Sequence, residues 1–273
     1  MARRGDWQGR LRSVPAGVIR RFAPSGSPWP DVRGVAAPDG PPSGGALAAE
    51  LRAVAQVARL VAAAPWLVRV PRGDGSLVLD LPGWRAPEAS NVLMRSWLRS
   101  RGWDARPWGL GTNQGRPERD AEMLAERIAA LPAGTPPVAL IGWSLGGTVA
   151  REVARVVPDR VRTVVTYGSP VIGGPTHTIG ARAFGRDECR RIETLARELD
   201  RDNPIAVPRT AIFTRRDAIV NWRACIDHSP RAVRHVEVRS THLGLGLDPD
   251  VWWTVAHALA DPTAATPDAW SPS

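Results

Sequence analysis

Val138-Ala139-Leu140-Ile141 is a wholly apolar run that passes directly into Gly142-Trp143-Ser144-Leu145-Gly146-Gly147, and Thr148 to Val157 then has helical periodicity. A buried strand forced to turn at once into a helix leaves the fold few choices. Gly-x-Ser-x-Gly alone is a weak signal, because glycine and serine are common in this chain. Between an apolar strand and a helix, it has the form of a sharp turn that holds a serine hydroxyl out at the strand's end. Glycine is needed two residues to either side, where side chains would strike the turn and the neighbouring strand. The helix that follows aims its free N–H groups at any negative charge developing beside the serine.

The surrounding chain alternates strand-like and helical stretches. Trp66 to Val70 and Leu77 to Leu81 read as strands around the Gly73-Asp74-Gly75 turn. Further strands are expected at Asp104 to Trp108, Val138 to Gly142, Val161 to Tyr167, Thr210 to Thr214 and Ala232 to Arg239. Helical patterns cover Asn91 to Arg101, Glu118 to Leu131, Thr148 to Val157, Cys189 to Arg201 and Pro249 to Ala260. This alternation predicts an α/β domain, a mostly parallel sheet with helices on both faces, over residues 46–260. Residues 1–45 read as a flexible arm rich in Arg, Pro and Gly, and 261–273 as a flexible tail. Within Ala46 to Ala64, Leu47, Leu51, Val54, Ala58 and Val61 recur at spacings of three and four. That face is expected to pack on the domain, with peripheral membrane contact as the alternative. No apolar run is long enough to be a transmembrane segment.

All 36 basic side chains are arginine, and against 27 acidic residues they leave a formal charge of +9. The excess is spread from Arg3 to Arg239 and accompanied by acids in most helical stretches, so it reads as compositional bias. With neither a recognised module nor aromatic residues interleaved in a basic stripe, no nucleic-acid partner is expected. Two cysteines, Cys189 and Cys225, allow at most one disulfide, and a reduced cytoplasmic location is the default expectation. No metal, nucleotide or flavin motif is present, so no cofactor is expected. The oligomeric state is not readable.

A serine hydroxyl becomes a nucleophile when a base takes its proton and an acid orients the base. His242 lies just past the strand ending at Arg239, in a loop that faces the same rim as the turn at Ser144. His235 is mid-strand, His257 is in the last helix and His228 follows a charged turn. His177 is a loop residue that either lines an entrance to the site or sits at the surface. The acid is expected between serine and histidine, beyond another strand end. Asp217 meets this condition, and Asp227 and Asp202 are less well placed. The order Ser144, Asp217, His242 separates this arrangement from other serine-triad folds. Besides the Leu145 N–H, a second oxyanion donor is expected from the Trp84 N–H in Leu81-Pro82-Gly83-Trp84. There Gly83 permits a close backbone approach and the Trp84 indole walls the pocket, as Trp143 does beside the serine.

On these residues the chain resembles bacterial esterases and lipases of the α/β-hydrolase fold, from about Gly73 to Ala260. The resemblance rests on Pro82-Gly83-Trp84, the turn at Gly142 to Gly147, Thr166-Tyr167-Gly168-Ser169-Pro170, Asp217-Ala218-Ile219-Val220 and His242. The chain departs from the family in having Ala218 after the acid and Asp80 where an aliphatic residue is usual. The resemblance implies a small cap between Pro170 and Pro208, whose Arg190, Arg191, Arg197 and Arg201 read as a solvated face or as selectors of anionic substrates. It also implies hydrolysis of a small-molecule carboxylic ester through an acyl-enzyme on Ser144. The alternatives are acyl transfer from the same serine and a non-catalytic binding scaffold.

Overall fold

The computed structural model describes residues 32, 34–42, 50–51, 53–229 and 233–262. Most of the stretch read as an arm, and all but the first two residues of the tail, lie outside the described residues. Residues 34–42 lie near the loop that follows Asp217, where Asn221 Nδ2 donates to Asp39 Oδ1 at 3.0 Å and to the Gly40 carbonyl at 2.8 Å.

A six-stranded, all-parallel sheet organises the chain in the order β2-β1-β3-β4-β5-β6. Its strands are β1 (Leu77–Leu81), β2 (Asp104–Pro107), β3 (Val138–Trp143), β4 (Val161–Tyr167), β5 (Arg209–Phe213) and β6 (Val233–Glu237). Helices α1 (Val54–Leu67), α2 (Val92–Ser100) and α7 (Pro249–Ala260) cover one face. Helices α3 (Pro117–Ala129) and α4 (Leu145–Val156) cover the other. The alternation of β3 shows why both faces must be covered. Ala139 and Ile141 enter the core beneath α7, while Val138 and Leu140 enter the core beneath α4. The chain leaves β1 in one direction and β3 in the other, so their C-terminal ends flank the crevice where such sheets bind ligands.

Asp80 in β1 is fully buried, and the structure accounts for it. Arg95 Nη1, within α2, and Asn91 Nδ2, just before it, donate to its two oxygens at 2.8 and 2.9 Å. Burial outweighs both partners and pushes its carboxyl up to about 6.

The cap expected after β4 is present. A short turn at Gly174–His177, helix α5 (Ala181–Phe184) and helix α6 (Arg186–Asp202) lie between β4 and β5. Four of the α6 arginines are exposed and paired with acids: Arg190 with Asp187, Arg191 with Glu188 and Glu118, Arg197 with Glu193, and Arg201 with Asp202. They form a solvated face. Cys189 and Cys225 are both buried free thiols.

Two expectations fail in the N-terminal part. Trp66 to Val70 is not a strand: α1 runs through Leu67, and Ala63, Leu67 and Val70 are buried at helical spacing. The apolar face of α1 also does not pack on the domain, because Leu51, Val54 and Val61 are 79%, 76% and 72% exposed. The opposite side docks through Ala63 and Leu67 in the core and through polar contacts nearer the start of the helix. Arg59 donates to Gln56 Oε1 at 2.7 Å, to Asp248 Oδ2 at 2.9 Å and to Asp250 Oδ2 at 3.0 Å. Burial, with Asp248 close by, pushes the Asp250 carboxyl up to about 6.

Candidate active site

The turn after β3 has the strained geometry its sequence predicts. Ser144 has φ 53° and ψ −124°, one of two non-glycine residues with positive φ among those described. Its N–H is anchored on the Tyr167 carbonyl at 2.9 Å. The glycines are demanded by contact. A Cβ on Gly142 would collide with the backbone of Gly147, and one on Gly146 with the carbonyl oxygens of Leu81 and Pro82. Ser144 is therefore held at the head of α4, beside the end of β1.

Asp217 and His242 come together from the ends of β5 and β6. His242 Nδ1 and Asp217 Oδ2 are 2.7 Å apart, with the two side chains 3% and 1% exposed. The other carboxylate oxygen of Asp217 accepts the N–H groups of Ile219 and Val220 at 2.9 and 2.7 Å. These bonds fix its rotamer, so one oxygen is left for the imidazole. Gly168, just past β4, has φ 62°, and a Cβ there would lie 3.1 Å from His242 Nδ1. The chain thus passes from the Tyr167 carbonyl, which anchors Ser144, straight to the face of the His242 ring.

Gly83 brings the end of β1 against the same place: its Cβ would stand 3.0 Å from the Trp143 ring and 3.4 Å from Ser144 Cβ. Among the described residues the N–H groups of Trp84 and Leu145 make no backbone hydrogen bond. Trp143 also stands against His242, with ring centroids 5.6 Å apart. The Trp84 indole packs on Phe184 of α5 with centroids 5.8 Å apart and on Gly115 from below, so the cap meets the β1 loop there. His177 is not a surface residue. It is 7% exposed and packed against Gly173, with Nδ1 lacking a hydrogen-bond partner, and its carbonyl accepts the Asn221 N–H at 2.9 Å. Burial pulls its imidazole below the ordinary range.

His235 and His257 serve the framework. His235 Nε2 accepts the Asp227 N–H at 3.0 Å, and burial depresses its ring to about 4. His257 lies on α7, its Nδ1 2.9 Å from the Trp253 carbonyl. Asp227 accepts from Arg151 and from Arg209 Nε, the latter at 2.9 Å, and so belongs to a buried ion cluster away from the imidazole of His242. Among the described residues, no three His, Cys, Asp or Glu side chains converge as metal ligands would.

One neighbour of the site had no visible signal in the sequence. Glu50, just ahead of α1, is 4% exposed and accepts backbone N–H groups from both the Asp217 loop and the His242 loop. Its partners lie 168 to 193 residues away in sequence, beyond the reach of any local pattern.

Comparison with known proteins supports this description of the fold. Solved structures that align with the chain include a metagenomic carboxyl esterase (TM-score 0.55, 15% identity, 70% of this chain and 76% of that one). Lipase B of Aspergillus fumigatus aligns with TM-score 0.52 at 18% identity, covering 72% of this chain and 58% of that one. A pyrethroid hydrolase aligns with TM-score 0.52 at 15% identity, covering 70% and 99%. The chain is an α/β-hydrolase-fold protein. At the sequence level, pimeloyl-[acyl-carrier protein] methyl ester esterases match over short segments. That of Klebsiella pneumoniae (strain 342) is 39% identical over 61 residues, 22% of this chain and 23% of that protein. That of Aliivibrio salmonicida (strain LFI1238) is 32% identical over 101 residues, 36% and 37% of the two chains. The chain therefore spans less than two-fifths of the length of either relative. No family model matches. No helix among the described residues is long and apolar enough to cross a membrane.

Proposed function

We propose that the protein is a serine hydrolase of carboxylic esters. The observation that carries this reading is the 2.7 Å approach of His242 Nδ1 to Asp217 Oδ2, on the same rim as a serine held at positive φ at the head of a helix. Ser144 Oγ attacks the ester carbonyl and His242 takes its proton, while Asp217 keeps the imidazole in the tautomer whose Nδ1 donates. The N–H groups of Leu145 and Trp84 receive the oxyanion. His242 then returns the proton to the departing alcohol, and water, activated by the same imidazole, releases the acid. Gly83, Trp143 and the Trp84 indole form the walls, and His177 backs the cap side of the pocket. The domain is read as 46–260 with the cap at about 170–208, and two buried free thiols accord with a cytoplasmic setting. The named esterases among the relatives support ester hydrolysis; the acyl chain and the alcohol of this chain's own substrate are set by the pocket beneath the cap.

The test is Ser144→Ala assayed with a short p-nitrophenyl ester and a fluorophosphonate probe. Turnover is expected to fall about 10⁶-fold and labelling to vanish. Full turnover by the purified variant would overturn the reading. Wild-type product analysis with a competing alcohol separates hydrolysis from acyl transfer.

A further inference from the structure

The carboxylate of Glu50 lies where the base and acid loops meet. Its Oε1 accepts the N–H groups of Ala218 and His242, each at 3.1 Å, and its Oε2 accepts the Leu243 N–H at 2.9 Å. Ala218 directly follows Asp217, so one side chain spans the residue after the acid, the base itself and the residue after the base. Ala218 and His242 are 1% and 2% exposed, and without Glu50 their N–H groups would be buried donors with no acceptor. Three converging donors require an acceptor with two oxygens and no proton of its own. A carboxylate meets that requirement with charge-assisted bonds, and an amide does not.

Helix α1 sets where this carboxylate falls. Arg59, two turns into the helix, is bonded to Asp248 and Asp250, and Asp248 in turn caps α7 by accepting the Asp250 N–H at 2.8 Å. Gln56 is buried between these anchors, its Cγ against Gly244. Glu50, Gln56 and Arg59 thus fix the register of the helix along the whole segment from His242 to Asp250. With Ala63 and Leu67 buried on the same side, this explains why Leu51, Val54 and Val61 are left in solvent.

We propose that Glu50 is a positioning residue for the triad: it holds the Asp217 and His242 loops at the spacing their hydrogen bond needs. The proposal rests on the hydrolase reading of Ser144, Asp217 and His242. β5 and β6 stay paired through Phe213 and Glu237, and the Val238 N–H bonds the Phe213 carbonyl at 2.9 Å. Beyond that point Thr214 Oγ1, donating to the Ser240 carbonyl at 2.9 Å, is a further side-chain tie between the two loops. When Glu50 is lost, the loops separate and the imidazole loses its orientation toward Ser144, while the walls that bind substrate stay in place.

The full chain is compared with Glu50→Ala and Glu50→Gln. kcat and KM are measured per fluorophosphonate-titrated site, and the low-field proton resonance of the His242–Asp217 hydrogen bond is recorded by NMR. In Glu50→Ala kcat is expected to fall about 10- to 100-fold with KM held within about twofold. The resonance broadens or disappears, and Glu50→Gln, which keeps one acceptor oxygen, falls between Ala and wild type. Wild-type kcat and an intact resonance in folded Glu50→Ala would overturn the proposal, as would a loss of thermal stability with kcat per labelled site unchanged. If the alanine variant does not fold, the glutamine variant decides on the same readouts. A wild-type protein that takes no label and turns over no ester overturns the hydrolase reading alone, because the resonance still reports whether Glu50 maintains the His242–Asp217 bond.

Discussion

Asp217 and Asp227 stand at the two ends of one segment, both buried, and they are held by opposite kinds of partner. Asp217 is met by two backbone N–H groups and one imidazole, with no guanidinium among its hydrogen-bond partners. Asp227 is met by the guanidinium groups of Arg151 and Arg209 and by the Ser229 N–H at 3.0 Å. Burial works against its charge, but the two arginines outweigh burial and hold its carboxyl well below the usual carboxylate range. A carboxylate saturated by fixed cations has little left to give when a proton arrives on a nearby imidazole. One held by neutral dipoles keeps an oxygen whose interaction strengthens as imidazolium forms. On the proposed reading, the same residue type is thus divided between framework and chemistry by the charge of its neighbours.

That contrast can be broken most forcefully at Asp217. Asp217→Asn is expected to lower kcat/KM about 10⁴-fold, roughly 5 kcal/mol of transition-state stabilisation, while the protein stays folded. Steady-state kinetics and a thermal melt on one preparation check both halves. Asp227→Asn should do the reverse. Removing the anion leaves Arg151 and Arg209 buried without a counter-charge, at a cost of about 3–5 kcal/mol of stability. Chemical denaturation reads that loss, and kcat per labelled site should remain at the wild-type value. An Asp227→Asn variant that is stable but inactive would reverse the two roles.

His235 sharpens the comparison at the framework end. Its neutral Nε2 is the acceptor for the Asp227 N–H, and burial lowers its folded value to about 4 from an unfolded 6.5. Between those values the unfolded chain binds the proton and the folded chain does not. Stability should therefore be full above pH 6.5 and fall as pH drops toward 4, by about 3 kcal/mol from this group. His235→Gln should flatten the pH dependence of the denaturation midpoint across that window. A slope unchanged by the substitution would show that the loss originates elsewhere.

The parts of the molecule that were legible in the sequence are those fixed by local pattern. Val161–Tyr167 and Pro249–Ala260 have the bounds that their apolar periodicity predicts, and β3 with its glycine turn follows from residues 138–147 alone. The meeting of Asp217 and His242 was legible because each follows a strand end, and parallel strands deliver such ends to one rim. Helix α1 was read with the wrong face inward. Its apolar residues do recur at helical spacing, but the face that docks is chosen by Glu50, Gln56 and Arg59 through partners far along the chain. The arginines divide in the same way. Arg95, Arg151 and Arg209 are buried beside acids that only the fold brings near, and Arg155 beside both the distant Asp200 and its helical neighbour Glu152. By contrast, Arg190 and Arg197 of α6 pair within about a helical turn, and Arg191 pairs both with Glu188 and, across the fold, with Glu118.

The inverted docking of α1 also bears on the order in which the molecule comes apart. A 14-residue helix with Pro65 inside it, no side-chain cap at its start and few buried residues has little stability of its own. The sheet and its two apolar layers form a more cooperative unit, and segments with so few buried contacts open before the global transition. Heating should therefore lift α1 from the His242 loop while β3 and β4 are still paired. Catalysis would then fade at a temperature where circular dichroism still records an intact fold, making enzyme activity a thermometer for the first step of melting.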